Sequence, residues 1–389
     1  MSARVLVLDG RAPAAIVVVR SLVAAGHRVH VVAEERHPPA AAVRGRAGRH
    51  PVPDPALEPE PWCRSVARIA GRFDVLLPVS DVSQVLLARI APDLPERTVA
   101  ALPVEKGLED LHDKVRVLER AAALGVPVLP RAEGDDIADV GFPAVLKPRR
   151  SRVVGEAGAR GATARIVADV DELRREADSL RSRGLGAYAE PWQPGEGRGV
   201  FLLMDDGNVR ARFAHRRIRE SSPLGGPSAV CESVDRDERL EAYAVDLARD
   251  LGVTGPFMAE FRGGAEFRGG GEDWFLLEVN ARYWGSLGLA VDAGVDFPAL
   301  HVAALTGRPA EGPTTWKTGL RRRNLAFDLK YAATVLRGRP RKLDLPWPGR
   351  LSALGRVLFC DSPGLIYRRS DPAPGREHLL RLTRKAIHG

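Results

Sequence analysis

The residues best suited to chemistry lie in two short segments near residues 258–262 and 274–282. Side chains of an extended strand alternate faces. In Trp274-Phe-Leu-Leu-Glu-Val-Asn-Ala-Arg282 this places Leu276, Glu278, Asn280 and Arg282 on one face, with Phe275, Leu277 and Val279 on the other. In the earlier segment Met258, Glu260 and Arg262 share a face. The Gly-rich connection from Gly263 to Glu272 makes the two a hairpin, so Glu260 and Glu278 meet across the pair with Asn280 one step along. Two carboxylates and an amide oxygen form a hard-oxygen site of the kind Mg²⁺ takes, with water and phosphate completing its shell. Taken alone, the same pattern also fits two solvent-facing strands with ordinary charges.

Lysines are the second signal. The chain has 7 Lys against 51 Arg, and none lies between Lys147 and Lys317. An ammonium is a compact point charge, unlike the guanidinium fork, so a retained Lys marks a place where the two are not interchangeable. Lys147 ends an apolar strand and precedes a Gly-, Arg- and Ser-rich stretch, Arg149 to Thr163. Such a loop offers free N–H groups to phosphate. Lys114 follows Asp113 at a helix start.

The elements that must position these residues follow from periodicity. Residues 4–8 read as a buried strand, 14–25 as a helix closed by Gly26, and 29–32 as a second strand. That β-α-β opening indicates a parallel sheet. Strands are expected at 74–78, 142–146, 165–167, 187–191, 200–204, 257–262 and 274–281, and helices at 82–90, 111–124 and 171–183. Residues 36–61 read as loop, and the Arg149–Thr163 stretch as a loop unable to form a core element. Beyond Gly307 the apolar pattern thins and prolines punctuate an irregular extension.

The 389 residues carry 58 Lys+Arg and 50 Asp+Glu, a net charge of +8. Residues 313–389 hold 17 basic against 5 acidic side chains, a net of +12, leaving the rest at −4. Apolar content of 44% excludes global disorder, and the length suggests two or three domains. Three scattered cysteines, Cys63, Cys231 and Cys360, exclude a disulfide framework or a Cys-based zinc site. The apolar stretch 14–25 is too short to span a bilayer, and no basic region precedes the first apolar run. A cytoplasmic protein is expected.

Five segments, Leu111-His-Asp-Lys114, Phe142-Pro-Ala-Val-Leu-Lys-Pro148, Glu190-Pro-Trp-Gln-Pro-Gly195, Met258-Ala-Glu-Phe-Arg262 and Leu277-Glu-Val-Asn-Ala-Arg282, occur in an order and spacing that resembles the ATP-grasp superfamily. The likeness is to its carboxylate–amine ligases, including amino-acid ligases and the large-subunit domains of carbamoyl-phosphate synthetase, and covers residues 1 to about 310. It implies an α/β (α+β) ATP-grasp fold: a Rossmann-like pre-ATP-grasp domain at 1–105, a small subdomain at 106–188 with a mobile phosphate loop at 149–163, a large subdomain with the metal site at 189–312, and a basic extension at 313–389.

The resemblance also implies roles. Lys114 and Lys147 match the lysines on the ATP phosphates, Lys147 also near the adenine. Glu190, Pro191, Trp192 and Gln193 match the hinge that holds the adenine edge, and Glu196 the acid for the ribose hydroxyls, although the spacing there is slightly short. Glu260, Glu278 and Asn280 match the ligands of Mg²⁺ (Mn²⁺ as an alternative), and Arg282 the arginine beside the reacting carboxylate. In His215-Arg-Arg-Ile-Arg-Glu220, strand alternation puts Arg217 and Arg219 on one face, and the resemblance favours Arg219 for the site. The Gly225-Gly226 loop would close over the substrate; Trp284, Gly285 and Ser286 would contact it. Trp284 also reads as core and His215 as structural.

The implied reaction joins a small carboxylic or amino acid to an amine through an acyl phosphate, releasing ADP and phosphate. The expected partners are these small molecules, with no membrane, nucleic acid not favoured, and a homodimer as one oligomeric state. Two other classes compete. A Rossmann-type oxidoreductase fits the opening β-α-β, but no complete G-x-G-x-x-G follows the first strand. A nucleic-acid binder fits the tail charge, but runs such as Arg321-Arg-Arg323 are short and no such module is recognisable.

Overall fold

The computed structural model describes residues 2–264 and 274–388, without the side chains of 385–388. The expected hairpin connection, Gly263 to Glu272, thus lies largely outside the described residues.

The first sheet holds β1 (Arg4–Val7), β2 (Arg28–Ala33), β3 (Gly48–Pro51), β4 (Val75–Leu77) and β5 (Val99–Ala100), all parallel, in the order β3-β2-β1-β4-β5. Because β1 is covered on both faces, alternate residues feed two cores. Val5 and Val7 pack with α1 (Pro13–Ala24), while Leu6 and Leu8 pack with α2 (Pro59–Ala70) and α3 (Asp81–Ile90). β3 and the start of α2 fall in the stretch read as loop; β3 is four residues of Gly-Arg-His-Pro with no apolar alternation to betray it.

Asp9, just past β1, fixes how α3 meets the sheet. Its carboxylate accepts from Val79 N (2.7 Å), Ser80 N (3.1 Å), Ser80 Oγ (2.6 Å) and Ser83 Oγ (2.5 Å). Ser80 and Ser83 also form a capping box at the N-terminus of α3. The first helical residue, Asp81, is thereby held at the C-terminal end of the parallel sheet.

The chain continues through α4 (Leu108–Leu111) and α5 (Lys114–Ala123) into a four-stranded antiparallel sheet, β10-β7-β11-β6. Its strands are β6 (Ala132–Glu133), β7 (Ala144–Pro148), β10 (Arg165–Val167) and β11 (Ala187–Pro191), with α6 (Val170–Ser182) packed on it. Between β7 and β10, the stretch expected to be a mobile loop forms a hairpin, β8 (Arg152–Gly155) and β9 (Gly158–Gly161). The hairpin docks on the first region: Ala159 N donates to Ala56 O (2.7 Å) and Arg89 to Val154 O (2.8 Å). A Cβ on Gly158 would stand 2.7 Å from Ala56 O, so only glycine permits this approach.

The third sheet is antiparallel, in the order β16-β15-β12-β13-β14-β17. It comprises β12 (Glu196–Asp205), β13 (Asn208–Glu220), β14 (Ser228–Ser233), β15 (Gly255–Gly263), β16 (Trp274–Asn280) and β17 (Arg321–Arg323). Val200, Leu202 and Phe257 face a core containing α5 and α7 (Glu238–Asp250). Phe201, Leu203 and Met258 face α8 (Leu287–Ala293), α9 (Phe297–Leu305) and α1.

The C-terminal stretch is more ordered than its prolines suggested. β17 extends the third sheet past residue 312, and α10 (Leu325–Arg337) and α11 (Arg350–Leu358) pair through Tyr331, Ala332, Val335, Ala353 and Val357. Leu365 and Ile366 then join the core beside α1, and α12 (Ala373–His388) follows. Arg20 of α1 clamps this return, bonding Asp371 Oδ2 (2.8 Å) and Asp371 O (2.7 Å). Among the described residues no single helix is long and apolar enough to cross a membrane.

Candidate functional site

β15 and β16 place Glu260 opposite Glu278 and Met258 opposite Asn280, as strand alternation predicts. A register shift after Glu260 then pairs Phe261 with Leu276. The extra residue reverses the alternation beyond it. Leu276 therefore lies with Phe261 in the apolar core and not on the Glu278 face, against expectation.

Each acid is held by a cation from another element. Asp113 caps α5, accepting from Val115 N (3.1 Å) and Arg116 N (3.3 Å), which sets Lys114 at the first helical position. Lys114 Nζ then reaches Glu278 Oε2 at 2.7 Å. Lys147, only 7% exposed at the end of β7, ion-pairs with buried Glu190 of β11 and donates to Leu277 O at 3.3 Å. Asn280 Nδ2 donates to Glu278 Oε1 (3.3 Å), and Arg282 to Asn280 Oδ1 (2.9 Å). Arg282 Nε also bonds Asp81 at 2.6 Å, which joins the first sheet to the site.

The charges are strongly coupled. Burial works to raise the Glu278 carboxyl, but Lys114, then Lys147 and Asn280, bring it down to about 2. Burial works against the Lys114 ammonium, yet Glu278, with Glu260 and Asp81, holds its pKa above the usual value. Burial raises the Glu260 carboxyl; Arg217 opposes this, but Glu278 adds to it, and the net shift is upward. Burial also disfavours a charged Asp81, but Arg282 and His112 outweigh it and lower its pKa.

The arginine that faces Glu260 is Arg217, not Arg219. A register shift between Arg217 and Arg219 on β13 puts them on opposite faces. Arg217 ion-pairs with Glu260, and its other nitrogen bonds Glu220 (2.9 Å) and Gly226 O (3.2 Å). Arg219 turns away to Asp328 of α10 (2.5 and 3.1 Å) and lies over the Tyr331 ring at 5.6 Å. A Cβ at Gly197 would stand 2.9 Å from Arg217 Cδ, so glycine there leaves room for the Arg217 stem.

The other expected residues are distributed unevenly. Trp192 Nε1 donates to Leu224 O (3.2 Å), tying the hinge to the loop that carries Gly225 and Gly226. Both glycines have positive φ, 119° and 117°. Gln193 is buried and its Nε2 has no hydrogen-bond partner among the described residues. Pro191 ends β11. Glu196 lies on the opposite face from Arg217, bonded to Arg198 (2.9 Å) and Arg216 (3.4 Å). Trp284 is core, stacked on Phe201 at 4.2 Å. Ser286 is buried against His215 Nδ1 (3.3 Å), while Gly285 is exposed. Asp81, His112 and Arg217 were not among the expected site residues.

A cleft lined by Asp81, His112, Lys114, Glu278, Asn280 and, from β8, Arg152 lies at the meeting of all three regions. The carboxylates of Asp81 and Glu278, the Asn280 amide and the cations Lys114 and Arg152 reach it from separate elements. The chain has the ATP-grasp fold. Residues 193–326 match the family described as ATP-grasp in the biosynthetic pathway with Ter operon. The structure is similar to that of an N5-carboxyaminoimidazole ribonucleotide synthetase in complex with ADP (TM-score 0.66, 15% identity, 92% of this chain and 97% of that one). It also resembles biotin carboxylase from Campylobacter jejuni (TM-score 0.62, 17% identity, 82% and 74%) and L-amino acid ligase from Bacillus licheniformis (TM-score 0.57, 18% identity, 80% and 75%). No curated sequence matches the chain significantly.

Within this fold the Rossmann-type alternative loses ground, because no complete G-x-G-x-x-G follows β1 and Glu260, Glu278 and Asn280 lie on a different sheet. The nucleic-acid alternative does too: Arg321, Arg322 and Arg323 are ion-paired with Glu232, Asp292 and Asp328.

Proposed function

We propose that the protein is an ATP-dependent carboxylate–amine ligase that activates a small carboxylic or amino acid as an acyl phosphate and releases ADP and phosphate. The observation that carries this reading is the direct pairing of Glu260 and Glu278, with Lys114 and Arg217 held against them from other elements.

Glu260, Glu278 and Asn280 are the residues that would hold Mg²⁺, and their hard oxygens suit it. Bound there with ATP, the metal would supply charge neutralisation on the phosphates. Lys114 and Lys147 would exchange their present carboxylate partners for phosphate oxygens, and the β8–β9 hairpin would cover them and exclude water. Arg217 and Arg282 are the cations left to orient the substrate carboxylate and absorb charge as the amine attacks. Arg217 takes the role expected of Arg219. Glu190 to Gln193 remain the adenine-edge hinge in this reading, whereas Glu196 would have to leave Arg198 and Arg216 to reach a ribose.

The experiment is a screen of paired amino acids and other small acids with Mg·ATP, read by mass spectrometry and by nucleotide product. Amine-dependent release of ADP and phosphate supports the reading. Release of AMP and pyrophosphate would overturn the acyl-phosphate route.

A further inference from the structure

The strongest feature outside the cleft is the α10–α11 pair. Each helix uses one face to build the small core between them. Each then presents large apolar side chains outward. On α10, Leu325, Leu329 and Leu336 recur at i, i+4 and i+11, which is one helical stripe, and all are exposed. On α11, Leu351 and Leu358 are one heptad apart and 85% and 73% exposed; Phe359, its C-cap, is 87% exposed.

The charges nearby divide into two groups. The Arg321–Arg323 run is consumed by internal carboxylates. Lys330, Arg337, Arg341, Arg350 and Arg356 are exposed and have no carboxylate partner among the described residues. The only acids between residues 325 and 359 are Asp328, buried under Arg219 and Arg323, and Asp344, which pairs with Arg339.

From this we infer that the α10–α11 hairpin docks on an anionic phospholipid surface, with its leucines and Phe359 entering the interface and its free Lys and Arg on lipid headgroups. This departs from the expectation that the chain meets no membrane, and it does not depend on the ligase reading. Basic helices with exposed Leu and Phe lie in the plane of a bilayer interface. A protein partner would need an acidic rim and an apolar centre matched to these positions, whereas an anionic bilayer interface offers both everywhere on its surface. A second copy of the chain would bring the same unpaired cations face to face. Asp328 anchors α10 to β13 and β17, so the surface is preformed and is not a tail that must fold on contact.

The test is co-sedimentation of the full chain with phosphatidylcholine vesicles containing phosphatidylglycerol, beside pure phosphatidylcholine vesicles. The wild type should pellet with the anionic vesicles only, and less as salt rises. Lys330→Gln with Arg337→Gln should lower the partition roughly tenfold or more. Leu351→Ser, Leu358→Ser and Phe359→Ser together replace only exposed side chains, so the fold and the melting curve should survive while vesicle binding is lost. Failure of the wild type to bind anionic vesicles overturns the proposal. So does undiminished binding by the serine variant, which would mean nonspecific attraction of charge. A concentration-dependent dimer abolished by those serines, without vesicle binding, would assign the face to a second copy instead.

Discussion

Glu260 and Glu278 stand directly opposite one another in the β15–β16 register, yet their carboxyls are shifted in opposite directions: Glu278 down to about 2, Glu260 upward. Burial acts on both; the difference is that Lys114 and Lys147 both favour a charged Glu278, whereas Glu260 has Arg217 against the repulsion of Glu278. The disfavoured charge of the pair is therefore that of Glu260.

Replacing Glu278 should therefore harm both function and fold. Glu278→Ala removes an oxygen donor and leaves Lys114 buried without its partner. Mg·ATP turnover should fall by roughly 100-fold or more, and the nucleotide-free protein should melt earlier. Steady-state ADP release and a thermal melt read the two effects. Undiminished turnover would remove Glu278 from the metal set.

Glu260→Gln should separate the two effects. A raised carboxyl means that the folded environment disfavours its charge at neutral pH, so removing that charge should stabilise the nucleotide-free protein and raise its melting temperature. Turnover should still fall, because a proposed metal ligand is lost. A lower melting temperature together with wild-type turnover would contradict both parts.

The acidic pair was legible because alternation within a strand and pairing across a hairpin are local rules. Lys114 and Lys147 were legible because lysine is scarce in this chain. The choice between Arg217 and Arg219 was not, because one register shift on β13 reverses the faces and no residue type there announces it. The same effect misplaced Leu276. Asp81 stayed hidden because its partner Arg282 lies 201 residues away. The C-terminal helices were masked by prolines that fall between them and not within α10 or α11.

Arg217→Ala and Arg219→Ala should thus differ in kind. Arg217→Ala should cut turnover with acid and amine by roughly 100-fold, while Glu220 keeps Arg262 as its partner (2.5 Å). Arg219→Ala strips one of two arginines from an Asp328 that is wholly buried. It should cost roughly 3 kcal/mol of stability, with turnover per folded molecule nearly unchanged. Kinetics and urea unfolding on the two proteins check this. Loss of turnover in Arg219→Ala without loss of stability would restore it to the site.

Acid should destabilise the fold through its buried histidines. Burial, then Arg217, pushes His215 down to about 3, and burial pushes His301 down to about 4 against a weaker pull from Asp205. In the unfolded chain both protonate near pH 6.5. Between the folded and unfolded values the unfolded state holds the extra proton, so stability rises with pH and is lost as pH falls below about 6.5. Glu34 works the other way: burial, then Asp9, raises its carboxyl to about 8, so its contribution is lost as pH rises toward that value. The total slope mixes these signs, and the informative quantity is a difference. His215→Gln keeps a polar group for Ser286 and should flatten the pH dependence of the urea midpoint between about pH 5 and 6.5 by up to one proton, about 1.4 kcal/mol per pH unit. An unchanged slope would mean that His215 is already protonated in the folded protein, and the bond its Nδ1 makes with Ser286 would then have to be one it donates.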